Sequence, residues 1–161
     1  MTWTVCCYTV ADMNSKTGDS GETTPTNPAA LTEAADRVLQ NLAELEPQLI
    51  NAGIFDQKLN PVALTSDSGE WPTQASVLLG ALEAGSGDEK LDSAHVASTE
   101  GEVFVVTESG LSLVAVTSRF VLASLTSYDM RMSLRDAARS AGMAGSAKAM
   151  SEAKKPGVGD A

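Results

Sequence analysis

The sequence predicts a mixed α/β (α+β) domain, with a five-stranded, mostly antiparallel sheet and helices on both faces, in the order α-β-β-α-β-β-β-α. Three observations predict it. First, Glu102-Val-Phe-Val-Val-Thr107 and Leu111-Ser-Leu-Val-Ala-Val116 flank the turn signal Glu108-Ser-Gly110 and read as a β-hairpin. Phe104 and Val106 face one way and Val103 and Val105 the other, while Leu111, Leu113 and Ala115 oppose Val114 and Val116. Apolar residues at both phases require cover on both faces. Second, the helix expected over roughly Arg119–Ala141 carries two apolar stripes. One is Val121, Leu125, Tyr128 and Met132; the other is Phe120, Ala123, Met130, Leu134, Ala137 and Ala141. A helix that only lids a sheet needs one stripe, so the second implies another helix or a partner. Third, two further helical patterns precede the hairpin and supply the remaining cover.

In chain order, residues 1–26 turn rich in Ser, Thr, Gly, Asp and Pro after the first ten, and are expected to be a disordered tail. Met13 offers an alternative start. Asn27-Pro28 signals a helix start, Asn as N-cap and Pro at the first position. Leu31, Ala35, Val38, Leu42 and Leu45 then form one face up to Glu46-Pro47. Gln48–Asp56 and Val62–Thr65 read as two short strands joined by a turn. Gly53 inside the first marks a bulge or the close packing of a helix. Trp71–Ala84 is a helix with Trp71, Ala75, Leu78, Leu79 and Leu82 on one face, stopped by Gly85. Gly80 within it costs about 1 kcal/mol against Ala, which a close backbone crossing would explain. An acidic, Gly-rich loop leads to a weak strand, Ala94–Thr99, and then to the hairpin. Residues 27–142 make the domain, and 143–161 a second disordered tail.

Composition limits function. With 43% hydrophobic residues but only 4% aromatics, the chain can bury a core, and that core is mostly aliphatic. The net charge is -10, with sixteen acidic against seven basic residues between Asn27 and Ala141. Such a balance excludes a nucleic-acid role, because phosphate affinity needs Lys and Arg clusters, and it disfavours docking on anionic lipid. No run reaches transmembrane length, so no membrane insertion is expected. Cys6 and Cys7 are adjacent, about 3.8 Å between Cα atoms, too close for the usual disulfide span; a reducing, cytoplasmic setting fits.

Catalytic constellations are missing from the sequence. His95 lies on a weak strand without a cysteine partner in the fold and reads as structural or solvent-facing. There is no G-x-S-x-G elbow and no phosphate loop. Asp88, Glu89 and Asp92 lack the spacing of a calcium loop and read as solvated. Arg131, Arg135 and Arg139, at i, i+4 and i+8, read as a solvated face paired locally with Asp136, an acidic partner being the alternative. No catalytic residue, cofactor or metal is expected.

Over about Ala29–Gly142 the chain resembles the Roadblock family, the fold of dynein light chains, Ragulator subunits and bacterial regulators of small GTPases. The resemblance is carried by Ile50-Asn-Ala-Gly-Ile-Phe-Asp56 followed by Pro61-Val-Ala-Leu64, by the Trp71–Ala84 helix, and by Glu102-Val-Phe-Val-Val and Leu113-Val-Ala-Val116. Arg119-Phe-Val-Leu-Ala-Ser-Leu resembles the start of the closing helix. One departure is plain: the family's Asp-x-x-Gly turn is Asp56-Gln-Lys-Leu59 here. The resemblance implies a non-catalytic homodimer that binds a Ras-like small GTPase, as a GTPase-activating-type regulator or as a scaffold. It implies pairing through the middle helix and the neighbouring strand, here Trp71, Ala75, Leu78, Leu79, Gly80, Leu82, His95 and Ala97. A small-ligand sensor module is the alternative, and it requires a pocket with convergent polar groups.

Overall fold

Adjacent strands pair antiparallel throughout a sheet of β1 (Leu49–Phe55), β2 (Pro61–Leu64), β3 (Ser93–Ala97), β4 (Glu102–Glu108) and β5 (Leu111–Thr117), whose order is β2-β1-β5-β4-β3. The computed structural model describes residues 27–119 and 121–143, and the elements run α1 (Pro28–Leu45), β1, β2, α2 (Trp71–Gly85), β3, β4, β5 and α3 (Ala123–Ser140). The expected tails over residues 1–26 and 143–161, apart from Met143, and Phe120 lie outside the described residues.

The hairpin forms as its alternation requires. Ser109 (φ 55) and Gly110 (φ 80) make a two-residue loop with positive φ at both positions, the type I′ geometry that matches strand twist. Val106 then sits opposite Leu113, Val105 opposite Val114 and Phe104 opposite Ala115. Each pair joins one of two cores. Phe104, Val106, Leu111, Leu113 and Ala115 pack with Ala52 and Ile54 beneath α1 and α3. Val105 and Val114 pack with Phe55 beneath Ala75 and Leu79 of α2. Two helices therefore cover one face and a single shorter helix covers the other.

α1 begins as expected, with Asn27 Oδ1 accepting from the N–H of Ala29 at 3.1 Å and Pro28 in the first turn. Ala34, Ala35, Val38, Leu39 and Leu42 are buried, but Leu45, the last residue of the expected apolar face, is exposed. Gly53 answers neither of its two expected reasons. The ladder irregularities in β1 lie on either side of it, between Leu49 and Asn51 and between Ile54 and Phe55. A Cβ at Gly53 would come within 2.7 Å of the Leu64 side chain and 3.0 Å of the Phe55 ring, so neighbouring side chains, not a helix, occupy its space.

α3 starts at Ala123, four residues later than the apolar pattern predicts, because β5 runs on to Thr117 and Leu122 holds a non-helical ψ of 89. Its end is a Schellman turn: Gly142 is at φ 75 and the N–H of Met143 reaches the carbonyl of Ala138 at 2.8 Å. Met143, assigned above to the tail, packs against the core. The two expected stripes of α3 have different fates. Met130, Leu134 and Ala137 are buried, whereas Leu125 and Tyr128 of the other stripe are exposed.

Candidate interaction surface

β3 is an edge strand of five residues, Ser-Ala-His-Val-Ala, with no proline or lysine to blunt it. The opposite edge, β2, has only four residues and begins with Pro61, which suits an edge that pairs with nothing. The carbonyl of Asp92 accepts from the N–H of Thr107 at 2.9 Å, which sets the alternation along β3. Ala94 and Val96 therefore direct their backbone groups to β4, while Ser93, His95 and Ala97 direct theirs outward. His95 and Ala97 thus offer their main-chain groups at this edge.

The His95 side chain is engaged on the face covered by α1 and α3. Its ring stacks on Phe104, centroids 4.3 Å apart and planes at 7°, and Nε2 lies 2.8 Å from Oε2 of Glu102. Sequence spacing brought Glu102 no closer than seven residues; only the register of β3 on β4 makes this contact.

On the opposite face, the expected contact residues of α2 divide. Ala75 and Leu79 are fully buried against the sheet, so their side chains contribute to the protomer core and not to an outer surface. Trp71, Leu78 and Leu82 are half-buried around them. Gly80 is half-buried, and a Cβ there would sit 3.3 Å from Cδ1 of Leu59 in the same chain. The residue α2 presents outward is Val77, 67% exposed, with Thr73 and Ala81 exposed one turn to either side.

Leu59 belongs to the β1–β2 turn, where the departure from the Asp-x-x-Gly pattern falls. It holds φ 63, occupying with a leucine the left-handed position that glycine usually fills. The turn is built around Asp56. Its Oδ1 accepts from the N–H of Lys58 at 2.8 Å and of Asn60 at 2.9 Å, and its Oδ2 from the Asn60 side chain at 3.2 Å. Ser76 of α2 adds a hydrogen bond to the Leu59 carbonyl at 3.1 Å. Burial pushes the Asp56 carboxyl up, but the Asn60 and Lys58 hydrogen bonds together hold it below its usual value. The leucine is thus fastened by its neighbours on both sides, and its side chain packs with the α2 core.

The arginine ladder is not a locally paired face. Only Arg139 meets Asp136, at 2.9 Å. Arg131 reaches Asp92 with both terminal nitrogens and Glu108 with one, and Arg135 also reaches Glu108, at 3.3 Å. The Arg131 hydrogen bonds hold the Asp92 carboxyl below its usual range. Asp92 is therefore not a free ligand in a cation loop, and among the described residues no group of three or more His, Cys, Asp or Glu side chains is placed to hold a metal. No helix among the described residues is long and apolar enough to cross a membrane.

Beside this clasp lies a cavity of about 740 Å³ between the end of α2, the loop before β3 and the β4–β5 turn. Gln57, Ser86, Thr107 and Ser112 converge on it, with Glu83, Glu89 and Lys90 around them. The Thr107 and Ser112 hydroxyls lie 3.0 Å apart.

No protein-family profile matches the sequence, and no curated protein matches it. Solved structures do. A Roadblock/LC7 domain from Streptomyces avermitilis superposes with a TM-score of 0.53 at 19% identity, over 65% of this chain and 93% of that one. The gliding protein MglB from Thermus thermophilus superposes with a TM-score of 0.57 at 20% identity, over 71% and 93%. An MglB described with a tetrameric arrangement gives 0.57 at 18%, over 70% and 91%. Identity this low speaks for architecture alone, and the architecture agrees across nearly the full length of each relative: the chain has the Roadblock/LC7 fold.

Proposed function

We propose that this protein is a non-catalytic, dimeric regulator or scaffold for a small Ras-like GTPase. The observation that carries the reading is the union of the Roadblock/LC7 fold with two exposed features, an unblunted β3 edge and an outward-facing, apolar Val77 on α2. Two copies paired along β3 would continue the sheet, satisfying the outward backbone groups of Ser93, His95 and Ala97, and would bring their α2 helices together on one face. The tetrameric arrangement described for an MglB supports self-association as a property of this fold. A paired sheet offers a broad, rigid platform, which suits holding a partner better than performing chemistry. The GTPase itself follows from the family resemblance of the sequence. Its test is affinity purification of the tagged chain from the native host: a Ras-like GTPase enriched with wild type and lost with a monomeric variant supports the reading, and its absence from both counts against it.

The cavity favours a second reading, a small-ligand sensor module. Its volume suits a metabolite, and its lining includes the hydroxyl pair and the Gln57 amide. It ranks second because Asp92 and Glu108 of that lining already serve Arg131. A ligand bound there would raise the melting temperature of the isolated protein, and Ser112→Leu would remove that rise.

A further inference from the structure

Two residues of the second stripe of α3, Leu125 and Tyr128, are left without cover, while Val121 packs against the core. Leu125 is 48% exposed and Tyr128 60%, three residues apart on the helix, and Leu122, the residue that caps its start, is 66% exposed. Thr126, buried on the inner side of the first turn of α3, donates to Glu46 Oε1 at 2.9 Å, and that contact brings the end of α1 beside the start of α3. Leu45, the last residue of α1, is 65% exposed. Four large apolar side chains thus stand in solvent at the end of α1 and along the start of α3, more than isolated surface leucines require.

We propose that Leu45, Leu122, Leu125 and Tyr128 form a docking surface for an amphipathic α-helix with basic residues beside its apolar stripe, supplied by a different protein. Two features choose this occupant. The backbone along α3 is already hydrogen-bonded within the helix, so the surface offers side chains only. A partner strand would bring unpaired backbone groups to it, whereas a helix brings none. The charges beside the surface are carboxylates: Glu44 is exposed next to Leu45, Glu46 is half-buried, and Asp129 follows Tyr128. Arg119, the nearest cation in sequence on the N-terminal side, is already engaged in an interaction, and Arg131 is held by Asp92 and Glu108. A second copy of the same surface would set these carboxylates against their like, while lysines or arginines on a partner would complement them. The inference rests on no part of the proposed function.

The test uses a fluorescein-labelled peptide of about 20 residues, with leucines at i, i+3, i+4 and i+7 and lysines on both flanks, read by anisotropy against the full-length protein. Saturable binding is expected, weakened about tenfold or more by Leu125→Ser and by Tyr128→Ser, and left unchanged by Val77→Ser on α2. Both serine variants replace exposed side chains, and an unaltered melt checks that each is folded. Asp129→Lys should weaken binding as well. A scrambled peptide of the same composition, or one with glutamates in place of lysines, should bind at least about tenfold more weakly. Equal binding of either control peptide, or binding that ignores both serine substitutions, overturns the proposal. So does absence of binding, or self-association of the wild type that Leu125→Ser abolishes, which would assign the surface to a second copy.

Discussion

Arg131 on α3 grips Asp92 at the entrance to β3 with two parallel hydrogen bonds, Nη1 to Oδ1 at 3.0 Å and Nη2 to Oδ2 at 2.9 Å. The same guanidinium touches Glu108 at the end of β4. A helix on one face of the sheet is thereby tied to the edge strand and to the loop that arrives from the helix on the other face. Both Arg131 and Glu108 are about three-quarters covered, and Asp92 is half in solvent. Arg131→Ala should therefore cost only about 1 kcal/mol in urea unfolding, within the range of partly exposed ion pairs. Its clearer effect should be faster hydrogen exchange in β3 than in β4. Uniform acceleration across the sheet would show that the clasp has no special hold on the edge.

Acid should act through two carboxylates. Hydrogen bonds from Arg131 hold Asp92 below its ordinary value, and those from Asn60 and Lys58 overcome burial to do the same for Asp56. A folded-state pKa depressed below the unfolded one means the unfolded chain takes up protons first. The stabilisation is then complete above the usual carboxylate value of 3.8 and declines as pH falls through the lower folded values. Urea midpoints should fall over that acid window, and Asp56→Asn should flatten the decline. An acid limb of equal steepness in that variant would remove Asp56 from the account.

Phe104→Ala and Leu113→Ala should each cost about 2–5 kcal/mol, since both side chains are fully buried in the core under α1 and α3. His95→Ala should cost far less, because the ring is partly exposed and contributes one stacked face and one polar contact. Equilibrium denaturation of the three variants ranks them, and a histidine variant as damaging as Phe104→Ala would contradict the ordering.

Ser109→Asn should stabilise the hairpin by about 0.5 kcal/mol, because asparagine tolerates a left-handed conformation better than serine and Asn-Gly is the preferred type I′ pair. Ser109 is exposed at φ 55, so nothing else is disturbed. A lower melting temperature would show that the turn is not the one described.

These contrasts separate what the sequence discloses from what it withholds. Alternation in Val103–Val106 and Leu111–Val116 discloses both cores, because strand period maps each residue to a face without tertiary information. Asn27-Pro28 discloses the start of α1, because capping is local. The apolar run before Ala123 hides the true start of α3, since period alone cannot separate a helix from the irregular turn that leads into it. Leu59 is hidden for the opposite reason. No local rule places a leucine at φ 63; Asp56, Ser76 and the space over Gly80 hold it there together. For α2, apolar spacing identifies a buried face but not an outer one, so Ala75 and Leu79 read as surface candidates although the sheet takes them. The partners of Arg131 lie 39 and 23 residues away, beyond any helical spacing.

The most direct test of the central claim is sedimentation velocity at micromolar concentration on wild type, Val77→Glu and Ala97→Pro. Proline at Ala97 removes one outward N–H from β3 while sparing the bonds to β4, and glutamate at Val77 sets like charges across paired α2 helices. A wild type that sediments as a dimer, with both variants shifted to folded monomers, is the predicted result. A monomeric wild type, or a dimer that neither substitution disturbs, would contradict a platform built on the α2 and β3 side of this fold.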